Sequence, residues 1–233
     1  MKSYSQYRQD EVLMEIVFNH NRGGVFLDIG ANDGVTYSNT YLMEKLYGWT
    51  GVCVEPLPRA FEKLSASRNC KLDQCAIGSK SRVDVFLEID GYSEMLSGIK
   101  RNYDKKHLDR IENEIGRHGG NSREISVRTK GIDDLLRDHE LTSINYCNID
   151  TEGSEFEILM AFPFSRCNVD VITVEGNYMI DRWKIRLWLM LRGFVYVADL
   201  GGDMLFVCRR VTNALGGKAV VRKKIDTLIA SIL

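Results

Sequence analysis

Two patterns alternate along this chain, and their alternation limits the fold more than any other feature. Short apolar runs of strand length are followed by segments whose apolar residues recur every three or four positions. The predicted strands are Val25–Ile29, Gly51–Glu55, Lys71–Ala76, Arg82–Ile89, Asn145–Ile149, Val169–Glu175, Phe194–Ala198 and Met204–Cys208. The predicted helices are Asn39–Tyr47, Arg59–Ser67, Glu155–Ala161 and Asp181–Arg192. This order predicts an α/β fold, with a doubly wound, mostly parallel sheet covered by helices on both faces.

The last third of the chain adds two expectations. The segment Asp199–Asp203 contains two glycines between the last two predicted strands, which favours an antiparallel hairpin. The predicted helix Asp181–Arg192 ends before Gly193 and carries an apolar stripe. The stripe consists of Trp183, Leu187, Met190 and Leu191. We interpret it most simply as core packing.

Size and charge indicate one ordinary globular domain over residues 1–233. The chain is 44% hydrophobic and 27% charged, and its formal net charge of −1 provides no general attraction for nucleic acid. No apolar run is long enough to cross a bilayer, and the polar segment Met1–Asp10 is not followed by the apolar core of a signal peptide. We therefore expect a cytoplasmic protein.

The six cysteines indicate neither a disulfide framework nor a zinc site. No pair has the CxxC spacing, and the four histidines are scattered. The cysteines in or beside predicted strands are Cys53, Cys75, Cys147 and Cys208. Buried, reduced thiols that pack as small apolar residues are the simplest interpretation.

Two segments fall outside the regular alternation. Residues 97–121 are dense in charged residues, contain few apolar ones and end in Gly119–Gly120. They predict a helical insertion, which is either an exposed, solvated surface or a lid over a substrate cleft. The tail, residues 211–233, is basic and then apolar, and we expect a packed terminal helix there.

The turn after the first predicted strand has the composition of a ligand-binding loop. In open α/β sheets, ligands bind at the carboxyl ends of the strands, and Asp28–Gly34 lies at such an end. Gly30 and Gly34 allow tight turning and a close approach of backbone to a ligand. The segment matches neither GxGxxG nor a Walker loop, which disfavours a diphosphate ligand. A ligand with an amino-acid end fits better, its amine or sulfonium lying against Asp28 or Asp33.

A carboxylate follows the second predicted strand. Glu55 is placed to accept both hydroxyl hydrogens of a ribose, although an acid at this spacing can also be an ordinary surface residue. The glycine turn and the acid together predict a nucleoside site. On their own they leave both a nicotinamide cofactor and S-adenosylmethionine open.

Further acids follow the strands Asn145–Ile149 and Val169–Glu175. Asp150 comes directly after the first of these strands, Glu152 has no clear assignment, and Glu155 begins the next helix, where the helix dipole favours a carboxylate. We expect Asp150 and Glu175 to be neighbours across adjacent strand ends. Two close carboxylates either share a proton or bind a divalent cation.

These motifs, taken in order, resemble the FkbM-type methyltransferase family over roughly residues 3 to 177. The matching segments are Ser5–Asp10, Phe26–Gly34, Ser38–Thr40, Gly48–Gly51, Val54–Pro56, Gly131–Leu136 and Ile149–Glu155. The chain departs from the family pattern in two places. Gly131-Ile132-Asp133 stands where Thr-Leu-Asp is expected, and residues 97–121 match no part of the family pattern.

The resemblance implies a class I methyltransferase fold (Rossmann-like) of seven strands, the last antiparallel, and S-adenosylmethionine as cofactor. It implies that Gly30, Asn32 and Glu55 hold this cofactor, with Cys75 and Ala76 near the adenine. The full set of candidate cofactor-binding residues is Gln9, Asp28, Gly30, Asn32, Gly34, Asn39, Thr40, Glu55, Pro56, Cys75, Ala76 and Asp150. Family members often methylate sugar hydroxyls, so O-methylation of a glycan or a natural product is the expected reaction.

Methylation of a hydroxyl requires that the acceptor lose its proton. The candidate catalytic residues are Asp150, Glu152 and Glu175, because the histidines fall outside the predicted strand ends, although His107 or His118 could reach in from the insertion. A second hypothesis is that Mg²⁺ or Mn²⁺ lowers the pKa of the acceptor. Its candidate ligands are Asp150, Glu175 and Asn177. Without a metal, the same acids would orient the acceptor or the donor.

Three other functions compete with this one. A nicotinamide oxidoreductase is disfavoured because GxGxxG is absent. A non-catalytic interaction module is disfavoured by the presence of all the strand-end acids. A methyltransferase with a protein or nucleic-acid acceptor remains an alternative, but no Asn/Asp-Pro-Pro-Tyr/Phe motif follows the strand Asn145–Ile149, which argues against amino-group methylation of bases.

Overall fold

The computed structural model describes residues 2–103, 105–176 and 179–232. The strands are β1 (Val25–Ile29), β2 (Thr50–Val54), β3 (Lys71–Asp73), β4 (Ala76–Gly78), β5 (Arg82–Ile89), β6 (Gly98–Ile99), β7 (Ser122–Gly131), β8 (Ser143–Ile149), β9 (Asn168–Glu175), β10 (Phe194–Leu200) and β11 (Asp203–Cys208). The helices are α1 (Gln9–Val12), which continues as the π-helical turn Leu13–Val17, α2 (Tyr41–Tyr47), α3 (Pro58–Ser67), α4 (Lys105–His118), α5 (Ile132–Asp138), α6 (Glu155–Ala161), α7 (Met179–Leu191), α8 (Arg209–Ala214) and α9 (Lys218–Ile232). Two 3₁₀ turns, Gly91–Leu96 and Lys100–Asn102, flank β6.

The main sheet has seven strands in the order β3-β2-β1-β8-β9-β11-β10. The strands from β3 to β9 are parallel, and β11 is antiparallel to both of its neighbours. The strand order reverses between β1 and β8, which end side by side because Ile29 pairs with Ile149. This confirms the predicted fold class, a class I methyltransferase sheet with its terminal hairpin, and it marks the β1/β8 edge as the place for a ligand.

Helices cover both faces of the main sheet. On one face α5, α6 and α7 bury apolar side chains such as Leu135, Ile158 and Leu189 against the strands. On the other face, α2, α9 and the π-helical turn bury Leu42, Ile225 and their neighbours. Because each β strand is covered on both sides, its residues are almost continuously apolar, which is why the strands were readable from the sequence.

A second, smaller sheet lies beside the first, in the order β4-β7-β5-β6. The sequence predicted Lys71–Ala76 as one strand, and this is wrong, because β3 ends at Asp73 in the main sheet and β4 begins at Ala76 in the second. The backbone N–H of Cys75 donates to the carbonyl oxygen of Asp73, closing the turn between them. The long strand β7, which had not been predicted, pairs with β5 along its length.

The insertion at residues 97–121 contains more than the helix that was expected. It begins with β6, an edge strand of the second sheet, and continues into α4. In α4 only His107 and Ile111 are buried, and the Tyr103 ring stacks on His107 with 4.1 Å between centroids. The insertion is therefore anchored to the second sheet by a small apolar cluster that also includes Ile89 and Leu96.

The prediction that the stripe on α7 packs in the core is wrong. Trp183 is 65% exposed, Leu187 61% and Leu191 73%, and Met190 is also exposed. The helix instead buries Ile185 and Leu189, the residues between the stripe positions. The half-buried Trp188 donates its indole N–H to the carbonyl oxygen of Leu159 at 2.9 Å, which fixes this rotation of the helix against α6.

The remaining expectations concern the tail and the cysteines. The tail folds as α8 and α9, and Val221 and Ile225 of α9 are buried as expected of a packed terminal helix. The six cysteines are free thiols. Among the described residues, no helix combines the length and the apolar character needed to cross a bilayer.

Candidate functional site

Gly30 joins the ends of β1 and β8 more closely than any other residue type would allow. Its φ is +88°, and a Cβ at this position would lie 1.7 Å from the backbone oxygen of Asp150. The backbone N–H of Asp150 in turn donates to the carbonyl oxygen of Ile29. The glycine turn thus brings Asp150 directly against the loop that follows β1.

Asp28 and Asp33, the residues considered for a ligand amine, are both engaged by the protein itself. Asp28 is buried and accepts hydrogen bonds from the Thr40 hydroxyl at 2.6 Å and the Asn148 amide at 3.0 Å. Asp33 caps its own turn by accepting hydrogen bonds from Thr36 and Val35. Burial alone would raise the pKa of Asp33, but these hydrogen bonds hold it below the usual range. Asp33 therefore shapes its own turn, and Asp28 is held in place by Thr40 and Asn148.

Glu55 lies at the end of β2 with its carboxyl group held in place by the backbone. The N–H of Asn32 donates to Oε2 at 3.0 Å and the N–H of Leu57 donates to Oε1 at 2.9 Å. Each oxygen keeps a further lone pair for a ligand. The side chain is buried, and this burial raises the pKa of Glu55 to about 7 despite the two hydrogen bonds.

A cavity runs along this edge between the two sheets. From the main sheet it is lined by the candidate residues Gly30, Asn32, Glu55, Pro56, Cys75, Ala76 and Asp150. Apolar side chains of the second sheet, including Phe86 and Ile99, form the opposite wall. An acid at one end and apolar walls at the other suit a ribose and a purine respectively. We call this the nucleoside lobe.

A second lobe opens from the first, past Asp150 and Glu152, which line both. Its floor contains Gln9, Asp28, Asn39, Asn148, Glu175 and Asp203. Its rim includes Tyr92 from the first 3₁₀ turn and Arg110 from α4. We call this the acceptor lobe. The insertion therefore borders the site. Its two histidines contact aromatic rings instead: His107 is buried and stacks on Tyr103, and the His118 ring lies tilted against Tyr92 with 4.3 Å between centroids.

Three acids meet where the lobes join. Asp150, Glu152 and Glu175 each offer one carboxylate oxygen, and these oxygens lie within 4.8 Å of one another. The expected proximity of Asp150 and Glu175 is therefore present. Burial, followed by nearby carboxylates, raises the pKa of Asp150 and of Glu175 well above the usual range. Asn177, the third candidate metal ligand, lies outside the described residues.

The loop between β8 and α6 holds this cluster in an unusual conformation. Glu152 has a φ of +52°, which non-glycine residues adopt rarely, and Gly153 follows it at +117°. Glu155, the first residue of α6, stabilises the loop by accepting hydrogen bonds from the backbone N–H groups of Thr151 and Gly153. The strained residue is thus one whose carboxylate belongs to the cluster, as is common at functional sites.

Two of the candidate cofactor-binding residues support the loop from behind. Thr40 is fully buried and bonds Asp28. Gly34, at φ +79°, packs so closely on α3 that a Cβ there would lie 2.5 Å from a methyl group of Leu64. Neither faces the lobes, so any effect on a ligand is through the position of Asp28 and Asn32.

Asp203 was missed by the sequence analysis, which placed it in a turn. It is buried and accepts hydrogen bonds from the side-chain amides of Gln9 at 2.9 Å and Asn39 at 3.4 Å. It also pairs in register with Glu175. A signal for it was present, because β11 is antiparallel and its first residue must lie at the edge where the parallel strands end.

Two buried acceptor atoms in the acceptor lobe have no hydrogen-bond partner among the described residues. They are Oδ1 of Asn39 and Oε2 of Glu175. Unpaired buried acceptors are costly in a folded protein, and an exception needs an explanation. A ligand that brings a cationic amine into this lobe would explain them, because the amine would donate hydrogen bonds to these oxygens.

Comparisons with known proteins agree with this geometry. A family model of the methyltransferase FkbM domain matches residues 28–201, and a search of curated proteins finds no match. The solved structures with a similar fold include the following three. The precorrin-6y C5,15-methyltransferase of Geobacter metallireducens GS-15 is 13% identical with a TM-score of 0.44, and the match covers 87% of this chain and 86% of that one. The FkbM methyltransferase of Methylobacillus flagellatus KT is 12% identical with a TM-score of 0.48, and the match covers 79% of this chain and 43% of that one. The N-terminal domain of human METTL16 in complex with SAH is 9% identical with a TM-score of 0.42, and the match covers 86% of this chain and 67% of that one.

These structural likenesses are too distant to indicate a substrate, and this chain corresponds to less than half of the Methylobacillus flagellatus protein. The family model, in contrast, covers most of the chain, including the glycine turn and the acids at positions 55, 150 and 175. The chain belongs to the FkbM family of S-adenosylmethionine-dependent methyltransferases.

Proposed function

We propose that this chain is an O-methyltransferase whose acceptor is a hydroxyl group of a sugar, a glycan or a natural product. The observation that carries the proposal is the cluster of Asp150, Glu152 and Glu175 at the junction of the two lobes. An acceptor hydroxyl must lose its proton, and a carboxylate whose pKa is raised is a stronger base than an ordinary one. The cluster supplies such carboxylates beside the nucleoside lobe.

The residues around the lobes fit S-adenosylmethionine. Glu55 would accept the ribose hydroxyls, and Pro56, Cys75 and Ala76 would lie along the adenine. Gln9 and the unpaired Oδ1 of Asn39 would face the amino-acid end. When bound, S-adenosylmethionine supplies an electrophilic methyl group on a cationic sulfur, a charge that the neighbouring carboxylates favour.

In this proposal the three acids have different roles in proton transfer and in orienting the acceptor. Asp150, between the lobes, accepts the proton of the acceptor hydroxyl, and Glu175 shares that proton with it, because their oxygens lie within 4.8 Å. Glu152 and the rim of the acceptor lobe orient the hydroxyl for in-line attack. Tyr92 and Arg110 at the rim limit which acceptors enter.

A divalent cation is a second way to use the same acids. Mg²⁺ or Mn²⁺ bound by Asp150 and Glu175, with Asn177 as a further candidate ligand, would lower the pKa of the acceptor hydroxyl. The unpaired Oε2 of Glu175 supports a cation in this place. A cation would also ionise Asp150 and Glu175, which burial otherwise disfavours.

The substitution Asp150→Asn tests both versions. We expect it to abolish methyl transfer to a panel of glycans, since the base or metal ligand is lost, and to leave S-adenosylmethionine binding within about tenfold by calorimetry. Asp226→Asn, an exposed site on α9, is the matched control. EDTA should inactivate the wild type only if a metal is used, and Mg²⁺ should then restore it. Wild-type turnover in Asp150→Asn would show that both versions are wrong.

A further inference from the structure

Cys53 and Cys70 place their sulfur atoms in contact. Cys53 lies in β2 and is buried, whereas Cys70 lies in the loop between α3 and β3 and is partly exposed. The two Sγ atoms are 3.5 Å apart and share a hydrogen bond. The sulfur atoms of a disulfide are about 2.05 Å apart, so a bond between these two requires an approach of only about 1.5 Å.

The fold fixes one of the two thiols and leaves the other adjustable. Cys53 pairs in register with Asp28 of β1 and with Leu72 of β3, so the main sheet determines its position. Cys70 comes just before β3 and belongs to neither a strand nor a helix. Its side chain is therefore free to approach Cys53 without a change in the ladder of the main sheet.

The two thiols also differ in their access to solvent. Cys70 is partly exposed, so a small oxidant reaches it first. Cys53 has no exposed surface. Burial, followed by the hydrogen bond with Cys70, raises the pKa of Cys53 well above its usual range. Cys53 therefore keeps its proton until Cys70 has been oxidised.

We propose that Cys53 and Cys70 are a redox modification site, at which a hydroperoxide converts the two thiols to a disulfide. A reversible disulfide forms where an accessible cysteine has a second thiol beside it. Cys208 is also partly exposed, but its Sγ lies 3.8 Å from the carboxylate oxygen Oδ1 of Asp170 instead of a thiol. Contact and exposure thus single out the pair Cys53 and Cys70.

The reaction balances with hydrogen peroxide as the oxidant. The sulfur of Cys70 attacks the peroxide, the O–O bond breaks, and the products are a sulfenic acid on Cys70 and a water molecule. The sulfur of Cys53 then attacks the sulfur of Cys70, so that an S–S bond forms and the S–O bond breaks. The hydroxide that leaves takes the proton of the Cys53 thiol and becomes a second water molecule. The thiols lose two electrons, and the peroxide gains them.

The proposed bond closes one wall of the nucleoside lobe into a covalent loop. The segment between the two cysteines contains Glu55, Pro56 and α3, and it lines the lobe with Glu55, Pro56, Arg59, Ala60 and Lys63 among others. A cross-link restricts the unfolded chain more than the folded one. The oxidised protein should therefore be more resistant to unfolding than the reduced one.

Counting thiols tests the proposal on the intact protein. After brief treatment with hydrogen peroxide and its removal by catalase, the wild type should titrate in denaturant with two thiols fewer than its original six. A tryptic digest without reductant should contain a peptide that links Cys53 to Cys70, lighter than the sum of its parts by two hydrogen atoms. Dithiothreitol should restore the original count. The midpoint of urea unfolding should be higher for the oxidised form.

Three variants assign the roles of the two thiols. In Cys53→Ser the second thiol is missing, so the sulfenic acid on Cys70 should persist and react with dimedone. In Cys70→Ser the accessible thiol is missing, so peroxide should leave the thiol count unchanged. Cys208→Ser is the matched control, because it removes a partly exposed cysteine elsewhere, and it should still lose two thiols. Circular dichroism checks the fold of Cys53→Ser, whose site is buried, and Cys70→Ser decides the question without it.

Contrary results overturn the proposal. A wild type that keeps all its thiols would show that the two sulfur atoms pack only as apolar groups. A link between other cysteines, or between two chains, would place the reactive pair elsewhere. A sulfinic acid on Cys70 beside an intact Cys53 thiol would show that Cys53 does not reach it. A lower urea midpoint after oxidation would show that the folded chain resists the bond.

Discussion

At the scale of single residues, the buried carboxyl group of Glu55 predicts that cofactor binding depends on pH near neutrality. Burial raises the pKa of Glu55 to about 7, so in the free protein the group is partly protonated at physiological pH. The ribose hydroxyls are better held by the carboxylate, which accepts from both. If Glu55 holds the ribose as proposed, cofactor binding should favour the ionised form of Glu55.

We expect the affinity for S-adenosylhomocysteine to rise as the pH increases from about 6 and to level off above about 8, where Glu55 is ionised without ligand. Calorimetric titrations across this range measure it. Glu55→Gln should bind about 1–3 kcal/mol more weakly at high pH and lose most of the pH dependence below neutrality. An unchanged pH profile in that variant would remove Glu55 from the site.

Gly30→Ala should cost both stability and cofactor binding. Its Cβ would lie 1.7 Å from the backbone oxygen of Asp150, so β1 and β8 must separate where the ligand binds. Gly23→Ala is the matched control. Gly23 also has a positive φ (+76°), but a Cβ added at Gly23 would have no other atom within 4 Å. In urea denaturation we expect about 1 kcal/mol of destabilisation for Gly23→Ala and clearly more, above about 2 kcal/mol, for Gly30→Ala. Equal losses would contradict the close contact.

At the scale of elements, the insertion is anchored by few buried residues. Helix α4 buries only His107 and Ile111, and it is followed by Gly119 and Gly120, both with positive φ. Such segments open at low free energy. Because Arg110 on α4 lines the acceptor lobe, opening of the insertion also exposes that lobe.

Limited trypsin digestion should therefore cut first within residues 97–121. A bound acceptor should slow that cut if the insertion is a lid, and it should leave the rate unchanged if the insertion is only a solvated surface. Cleavage that begins in α9 instead, where Lys223 and Lys224 are also exposed, would show that the insertion is better anchored than its few buried residues indicate.

The sequence predicted those elements whose residues repeat a buried pattern. Most of the parallel strands were found because helices on both faces make their apolar runs continuous, and α6 was found from its helical apolar spacing. Glu55, Asp150 and Glu175 followed because strand ends share an edge. The split between β3 and β4 was not readable, since an apolar run does not say which sheet each half joins. In α7 the stripe showed that Trp183 and Leu187 share a face, but periodicity does not say whether that face points inward.

At the scale of the whole molecule, the nucleoside lobe has one wall on each sheet. Gly30 and Glu55 lie at strand ends of the main sheet, and Phe86 and Ile99 belong to the second. The apolar cluster around Phe86 and Ile99 is separate from the main core, which the second sheet joins through Ile77 of β4. A ligand in the lobe contacts both units. It binds the closed arrangement and not one in which the second sheet has opened, so it stabilises the contact between the sheets.

We expect amide hydrogen exchange in β5 and β7 to slow when S-adenosylhomocysteine binds, because these amides would exchange through local opening of the second sheet. At a ligand concentration of 100 times Kd, the exchange rate should fall by about a factor of 100. Amides of the β10–β11 hairpin, in the main sheet, serve as the internal reference. Equal slowing in both sheets would mean that the molecule opens as one unit.

The shared wall also has a kinetic consequence. Tyr92 and Arg110, at the rim of the acceptor lobe, are carried by segments packed on the second sheet, so the acceptor lobe is complete only when that sheet is in place. Since a donor bound in the nucleoside lobe would contact both sheets and hold the second one in place, we expect a compulsory order of addition, donor first and acceptor second, with the demethylated donor leaving last. The demethylated donor should then be a competitive inhibitor against S-adenosylmethionine and a non-competitive one against the acceptor.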